Sequence, residues 1–159
     1  RIKSTIEKTC DKLGETKIFK GIEYKAFPTV EAFASKDEDF FKSLGYGYRT
    51  EYILNTARLI TDGKLDLSSL DKLPTPELKA ELLKIKGVGD KVADCALFFG
   101  FHRSDAFPVD TWIEKLYRED FNGTLTDRKK ISKYFTDIFK ENSGYVQQYL
   151  FYAKRNGTL

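Results

Sequence analysis

The stretch that decides the fold is Leu82-Leu83-Lys84-Ile85-Lys86-Gly87-Val88-Gly89-Asp90-Lys91-Val92-Ala93, in which two helical segments meet at Gly-Val-Gly. Glycine on each side of a valine lets the backbone turn tightly with positive φ. The free amides in the first turn of the second helix would then face outward, where hydrogen bonds and the helix dipole favour a phosphate. Such a contact positions a duplex without reading its sequence. An ordinary helix end followed by a tight loop also explains Gly-Val-Gly.

Lys91 is the first residue of this stretch that could do chemistry. It lies at the start of the second helix, where the positive end of the dipole disfavours a cation. That potential, together with desolvation, would favour the neutral and nucleophilic amine. A lysine that contacts phosphate, or one that is only solvated, is the alternative interpretation.

A second candidate follows in Pro108-Val109-Asp110. Pro108 favours an extended entry, and Asp110 is a suitable N-cap for a helix from Trp112 to Tyr117. Capping alone would justify this carboxylate. At the mouth of a cleft, Asp110 could also stabilise a developing sugar cation or help Lys91 lose its proton.

The composition limits the class of protein. The chain has 159 residues, 41% of them hydrophobic and 14% aromatic, which is enough for one sizeable core or two small lobes that share a cleft. It has no run of about eighteen apolar residues and no signal-peptide pattern, so we expect an intracellular protein with no membrane role. The formal net charge of +3 is too small to indicate nucleic acid by itself. The two cysteines form neither a disulfide framework nor a CxxC metal pair.

Helix signals dominate the chain and predict a mostly α fold. Apolar residues at helical spacing predict a first helix that ends at Gly14, and Ser35 with Glu38 resembles a capping box before a second helix that ends at Gly45. Between these helices, the weak alternation from Lys17 to Lys25 predicts either a short hairpin or a loop.

The later helices are predicted from caps, glycines and prolines. Thr75 is interpreted as a cap that is followed by proline at the first helical position. Short linkers favour one compact unit. The predicted helices run from Arg49 to Asp62-Gly63, around Ser68 to Leu73, from Thr75-Pro76 to Gly87, from about Asp90 to Phe101, after Asp110, after Thr126, and from Tyr145 to Lys154.

Gly87-Val88-Gly89-Asp90-Lys91-Val92-Ala93-Asp94-Cys95, together with Pro108-Val109-Asp110, resembles the helix-hairpin-helix and Gly/Pro-Asp signature of the DNA glycosylase superfamily. The likeness covers nearly the whole chain and is nearest to the 8-oxoguanine DNA glycosylase family. It implies a two-lobed, mostly α fold that binds DNA at the hairpin and flips the damaged base into an active-site cleft between the lobes. The implied lobes are residues 15–109, with the hairpin motif at 76–101, and residues 1–14 plus 110–159.

The resemblance also implies roles for single residues. Lys91 matches the Schiff-base lysine of the family, and Asp110 matches its catalytic aspartate. Cys95 matches a base-stacking cysteine, although a small buried hydrophobe is the commoner role for cysteine. Gln147 and Phe151 resemble the pair that hydrogen-bonds the base edge and stacks on its other face. A core helix would explain Phe151 equally well, whereas the amide of Gln147 needs a hydrogen-bonding partner.

Other residues are implied to contact DNA or a cation. Leu44-Gly45-Tyr46-Gly47-Tyr48-Arg49 resembles the loop that fills the gap left by a flipped base, with Tyr48 as wedge and Arg49 at the orphaned cytosine. Arg1 aligns with another cytosine contact. The hairpin would bind the DNA backbone through Gly87, Val88 and Gly89, and a sodium, potassium or calcium ion through the carbonyls of Leu83, Ile85 and Val88. The resemblance implies no required cofactor and no iron–sulfur cluster.

The implied enzyme is a bifunctional DNA N-glycosylase and AP lyase, expected to act as a monomer on double-stranded DNA. It would remove 8-oxoguanine and formamidopyrimidine-type purine lesions through attack of Lys91 on C1′, followed by β-elimination. The chain departs from the pattern at Trp112, where many relatives have histidine, and at Lys86, which replaces a frequent proline. Nothing in it matches the N-terminal β-rich domain of relatives, so we expect a piece of a longer enzyme.

Three other functions remain open. An endonuclease III-like glycosylase for oxidised pyrimidines also has a lysine after the hairpin. That branch commonly carries four clustered cysteines for an iron–sulfur centre, and the sequence after Asp110 has none. A noncatalytic DNA-binding module would use Gly87 to Lys91 for backbone contacts alone, which leaves Gln147 and Phe151 unexplained. A helical protein-interaction domain ranks last.

Overall fold

The computed structural model of the chain describes residues 2–158, and it confirms the predicted, mostly α-helical fold. Contacts group the chain into two compact units, one up to Leu67 and one from Ser68 onward. The lobes predicted at 15–109 and at 1–14 plus 110–159 follow other boundaries and stay a prediction. None of the helices in the described residues is both long and apolar enough to cross a membrane.

The first unit combines helices with a β-hairpin. A small core joins Phe33, Phe41, Leu54 and Ala57. Its elements are α1 (Ile2–Leu13), β1 (Thr16–Phe19), β2 (Ile22–Lys25), α2 (Val30–Ala34), α3 (Glu38–Ser43), a 3-10 turn (Gly47–Arg49) and α4 (Thr50–Thr61).

The weak alternation between α1 and α2 forms a hairpin, the first of its two predicted alternatives. β1 and β2 are antiparallel, with Phe19 opposite Ile22. Lys20 and Gly21 lie between them with φ of 51° and 77°, and two successive positive φ values match the twist of a two-residue hairpin turn. Glycine tolerates this conformation without steric cost.

The predicted capping box at Ser35 and Glu38 is wrong. The Ser35 hydroxyl donates to the carbonyl of Ala32 at 2.9 Å, at the end of α2, a helix that was not predicted. Asp37 caps α3 instead, because its carboxylate accepts from the amide of Phe40 at 2.9 Å. Aspartate is an N-cap at least as good as serine, and Asp37 is the residue directly before α3.

Thr75 is not a cap either. α6 begins at Thr75 itself, with Pro74 before it as the N-cap residue. The hydroxyl of Thr75 donates to the carboxylate of Asp105 at 3.2 Å. The helix therefore starts one residue earlier than predicted, and the Thr75 hydroxyl contacts a side chain that is distant in sequence instead of the amides of the first turn.

The second unit contains the Gly-Val-Gly hairpin. α5 (Leu67–Leu70) spans the boundary between the two units in sequence. The rest of the unit consists of α6 (Thr75–Leu83), α7 (Asp90–Cys95), a π turn (Ala96–Gly100), α8 (Thr111–Glu119), α9 (Arg128–Phe139), a 3-10 turn (Lys140–Asn142) and α10 (Ser143–Asn156). Its core contains Phe107, Val109, Ile113, Leu116, Tyr117, Ile131 and Phe135.

The π turn at the end of α7 directs an aromatic side chain to α10. The amide of Phe101 donates to the carbonyl of Ala96 at 3.0 Å, which is the i to i+5 bond of a π turn. The ring of Phe98 lies 5.4 Å from the ring of Tyr145, edge to face. Gly144 leaves room for this contact, because a Cβ there would lie 2.3 Å from the Phe98 ring.

Candidate active site

The Gly-Val-Gly hairpin is a tight turn that uses positive φ at one glycine only. Gly87 has φ of 89°, and the amide of Val88 donates to the carbonyl of Ile85 at 3.0 Å. Gly89 has φ of −99° and ψ of 179°, so the tight turn that the two glycines were expected to allow uses positive φ at Gly87 alone. No side chain among the described residues caps α7, which leaves the amides of its first turn to water or to a ligand.

Lys91 is exposed and lies in the first turn of α7, beside an open cavity of about 340 Å³. Within residues 2–158 it forms no ion pair. Because its side chain is exposed, the desolvation expected for a nucleophilic lysine would have to come from bound DNA. The cavity is lined by Gly89, Asp90, Lys91, Val92, Asp94, Val109, Asp127, Arg128 and Lys129.

The other cations that line the cavity are paired. Lys129 Nζ lies 3.3 Å from Asp90 Oδ2, which joins the first turns of α9 and α7. Arg128 donates to Glu114 Oε2 through Nε at 3.2 Å and Nη2 at 2.9 Å. These ion pairs distinguish Lys91 from its two cationic neighbours.

An ion pair with a buried carboxylate connects the two helices of the hairpin. Asp94 is 4% exposed, and its Oδ1 lies 2.6 Å from Lys79 Nζ on α6. Burial raises the pKa of the Asp94 carboxyl, and the hydrogen bond from Lys79 partly opposes that rise. Sequence reasoning missed this pair, since nothing in the local pattern connects the two residues.

Asp110 is the N-cap of α8, as predicted. Its Oδ1 accepts from the amides of Trp112 and Ile113, both at 3.0 Å. Its Oδ2 accepts no hydrogen bond within the part of the chain that the structure describes. Val109, the residue before it, lines the same cavity as Lys91. The structure thus brings the Pro-Val-Asp loop to the cavity beside Lys91.

Gln147 has the polar partner that its buried amide requires. It is 4% exposed, and its Nε2 donates to the carbonyl of Pro108 at 3.0 Å. Its Oε1 accepts from Nε2 of Gln148 at 2.5 Å. This connects α10 to the loop that positions Asp110. The prediction singled out Gln147 and missed both of these partners.

The two other residues predicted for the base pocket are partly buried. Phe151 packs against the core of the second unit, and the Arg155 guanidinium carbon lies 5.9 Å from the centre of its ring. Cys95 is a free cysteine at the end of α7. Core packing and a pocket role are both compatible with this burial, so their roles stay predictions.

The predicted wedge residues lie in the first unit and are exposed. Tyr48 is 71% exposed, and the Arg49 guanidinium carbon lies 4.3 Å from the centre of the Tyr48 ring. This cation–π contact presents an aromatic ring and a planar guanidinium together. Arg1, the other predicted cytosine contact, lies outside the described residues.

The carbonyls predicted to hold a cation belong to the hairpin turn. The carbonyl of Ile85 already accepts the amide of Val88 at 3.0 Å, but a carbonyl oxygen has a second lone pair. Main-chain oxygens suit hard cations such as calcium. Among residues 2–158 no group of three His, Cys, Asp or Glu could hold a metal ion, so such a cation would depend on the main chain, with Leu83 and Val88 as the other ligands.

Two curated proteins are similar to this chain in sequence. The probable N-glycosylase/DNA lyase of Methanothermobacter thermautotrophicus is 36% identical over 119 residues, which are 74% of this chain and 38% of that protein. The Arabidopsis thaliana N-glycosylase/DNA lyase OGG1 is 30% identical over 145 residues, covering 84% of this chain and 40% of that protein. The matches therefore cover only about two fifths of the length of these relatives.

A solved structure has the same fold. It is the Clostridium acetobutylicum 8-oxoguanine glycosylase/lyase in complex with double-stranded DNA that contains cytosine opposite 8-oxoG. Its TM-score with this chain is 0.91 at 36% identity, over 99% of this chain and 55% of that chain. The family model of the HhH-GPD superfamily base excision DNA repair protein matches residues 1–141. Since that model covers most of the chain and the hairpin and Pro-Val-Asp loop lie within the match, this chain belongs to the HhH-GPD superfamily of base excision DNA repair proteins.

Proposed function

We propose that this chain is the catalytic core of a DNA glycosylase and AP lyase that removes 8-oxoguanine from double-stranded DNA. One observation carries the proposal. Lys91, exposed and free of ion pairs within residues 2–158, lines a cavity of about 340 Å³ together with the residue before Asp110. The likeness to an 8-oxoguanine glycosylase/lyase at 36% identity supports the choice of substrate.

Lys91 is the nucleophile of the proposed reaction. Its neutral Nζ bonds to C1′ of the sugar while the bond from C1′ to the base nitrogen breaks, and the base leaves with that electron pair and takes up a proton. The free Oδ2 of Asp110 stabilises the positive charge that develops on the sugar. The nitrogen lone pair then forms a C=N bond while the C1′–O4′ bond breaks and the ring oxygen takes up a proton, which gives an open-chain Schiff base. This Schiff base acidifies the C2′ proton, and loss of this proton expels the 3′ phosphate and cuts the strand.

The remaining predicted residues bind the substrate. Flipping the damaged nucleotide costs a few kcal/mol, which insertion of Tyr48 and Arg49 and the contacts to the base would offset. The base stacks between Cys95 and Phe151, and Gln147 hydrogen-bonds its edge. Formamidopyrimidine-type purine lesions present a similar edge and are proposed substrates too.

Borohydride trapping tests the nucleophile and the substrate together. The chain should form a covalent complex with a duplex that contains 8-oxoguanine opposite cytosine, and Lys91→Gln should abolish it. Lys133→Gln is the matched control, because Lys133 lies outside the cavity and pairs with Asp137 on α9 at 2.9 Å. Trapping by Lys91→Gln at the wild-type level would refute the assignment.

A lesion panel separates the proposal from its alternatives. Faster excision of thymine glycol than of 8-oxoguanine would favour an endonuclease III-like enzyme. Lesion-blind affinity with a steep salt dependence and no trapping would favour a noncatalytic DNA-binding module.

We also propose that the enzyme acts as a monomer and needs no cofactor other than a potassium, sodium or calcium ion at the hairpin. The carbonyls of Leu83, Ile85 and Val88 would hold this ion, which would add positive charge beside the amides of α7. Duplex affinity in potassium should exceed duplex affinity in tetramethylammonium at equal ionic strength. Equal affinities would refute the cation site.

A further inference from the structure

We propose that Gln148 is a positioning residue that fixes the amide orientation of Gln147 and thereby selects a guanine-type over an adenine-type base edge. This inference rests on the proposed function, in which Gln147 hydrogen-bonds the flipped base. The observation behind it is a continuous chain of hydrogen bonds that runs from Pro108 through Gln147 to Gln148.

The partners of Gln147 define which end of its amide is nitrogen. The carbonyl of Pro108 can only accept, so the atom 3.0 Å from it must be Nε2 of Gln147. The oxygen of Gln147 then faces Gln148, which must present its own Nε2, and the two atoms are 2.5 Å apart. A hydrogen-bond network of this kind is the basis on which amide orientations are assigned.

Gln148 adds a second point of attachment that Pro108 alone does not provide. With only the Pro108 contact, the amide could swing about its last side-chain torsion, which is broad for glutamine. The side chains of successive residues on a helix do not normally face each other. Gln148 nevertheless folds back along α10 to contact Gln147, and its side chain is partly buried there.

The two internal bonds leave Gln147 with one N–H and one lone pair for a ligand. A guanine-type edge offers an acceptor at O6 beside a donor at N1, whereas an adenine-type edge offers a donor at N6 beside an acceptor at N1. Rotating the amide by half a turn exchanges its donor and acceptor. A fixed amide therefore pairs donor with acceptor on one type of edge, and on the other type it faces donor to donor and acceptor to acceptor. 8-Oxoguanine keeps the guanine pattern on this edge.

Gln148→Glu is the sharpest test, because it keeps the shape of the side chain and replaces the donor with an acceptor. Single-turnover excision of 8-oxoguanine should fall about 10-fold at neutral pH, and that of 8-oxoadenine should fall less, so the ratio of the two rates shifts toward adenine. Gln148→Ala, which loses one neutral hydrogen bond, should lower 8-oxoguanine excision about 2- to 10-fold. The matched control is Tyr149→Phe on the same helix, where the side chain is 80% exposed, and its ratio should stay at the wild-type value.

The pH dependence distinguishes positioning from mere structural support. Once protonated, the carboxyl group introduced by Gln148→Glu would again donate to Gln147, so the defect of this variant relative to wild type should shrink as pH falls toward the carboxyl range. Wild-type selectivity in both Gln148 variants, or a defect that is the same at every pH, would overturn the inference while the proposed function stands. Absence of trapping by the wild-type chain would instead overturn the proposed function and, with it, this inference.

Discussion

Replacing Lys79 with methionine should destabilise the chain by about 3 kcal/mol at neutral pH. Removing one partner of a buried ion pair costs about 3–5 kcal/mol, because the other charge stays buried without compensation. Asp94 is the buried partner, with 5% of its side chain exposed, whereas 27% of the Lys79 side chain is exposed. Water can therefore reach the space that the ammonium leaves, so we expect a loss of stability near the lower end of the range of about 3–5 kcal/mol. For a chain of this length, that corresponds to a fall in Tm of about 6–12 °C.

The loss of stability caused by Lys79→Met should become smaller as pH falls. The pKa of Asp94 is raised in the folded chain, chiefly by burial, so the folded state holds this proton more tightly than the unfolded state does. Its contribution to stability therefore decreases as pH rises from the ordinary carboxyl pKa to the raised one. Loss of Lys79 raises the pKa of Asp94 further, because the opposing hydrogen bond disappears. The difference between wild type and Lys79→Met should thus shrink as pH falls toward the carboxyl range, because protonation of Asp94 removes the buried charge in both chains.

Urea unfolding at pH 7 and at pH 4, followed by helical circular dichroism, measures both effects. Lys133→Met is the matched control, because Lys133 and Asp137 form an exposed pair with side chains 74% and 56% exposed, and the unfolding midpoint should barely change. A cost for Lys79→Met below about 1 kcal/mol at pH 7, or the same cost at both pH values, would refute the reasoning.

Three further changes have distinct expected results. Asp110→Ala should lower the free energy of unfolding by about 1 kcal/mol, because two amides lose their cap. Asp110→Asn should keep most of that stability in urea unfolding and still lose borohydride trapping. Equal trapping by Asp110→Asn and wild type would exclude a role for the charge of Asp110. Gly14→Ala should lower stability by about 1–3 kcal/mol, because a Cβ there would lie 2.1 Å from the carbonyl oxygen of Ala26; an unchanged Tm would contradict this. Arg49→Ala should reduce the preference for cytosine over adenine opposite 8-oxoguanine about 5- to 100-fold in single-turnover excision, and an unchanged preference would remove Arg49 from cytosine recognition.

The sequence predicted those features that depend on neighbouring residues. The end of α1 follows from Gly14 and the start of α8 follows from Asp110, because caps and turns are local. The predicted end of α6 at Gly87 is wrong, because α6 ends at Leu83 and residues 84–87 already form the turn into the hairpin. The errors at Ser35 and Thr75 have a common cause. Each hydroxyl binds a group other than the helix amide that the local pattern suggested, and in both cases the residue directly before the helix is the cap.

The candidate site was predictable in its residues but not in its connections. Lys91 and Asp110 could be singled out from helix starts, and the resemblance added Cys95, Gln147 and Phe151. The connections within the site depend on how the chain packs, which neither the hydrophobic periodicity nor a local motif predicts. They are the ion pair between Lys79 and Asp94 and the hydrogen bonds from Gln147 to Pro108 and Gln148. Gln148 in particular gives no signal in the sequence, since its partner is its own neighbour on a helix.

The π turn at Ala96–Gly100 has a consequence for the evolution of this chain. A π turn closes its hydrogen bond over one residue more than an α-helical turn does. This turn follows the segment that presents Lys91, and it contains Phe98, whose ring contacts α10. Deleting Ala96 or Leu97, the two residues of the turn that precede Phe98, would restore α-helical pitch and turn Phe98 and every later side chain of the segment by about 100°. Phe98 would then face away from Gly144, although no residue of the hairpin or of α10 had changed. Lineages that differ in length by one residue at this position should therefore differ together at Gly144, where only glycine accommodates the ring.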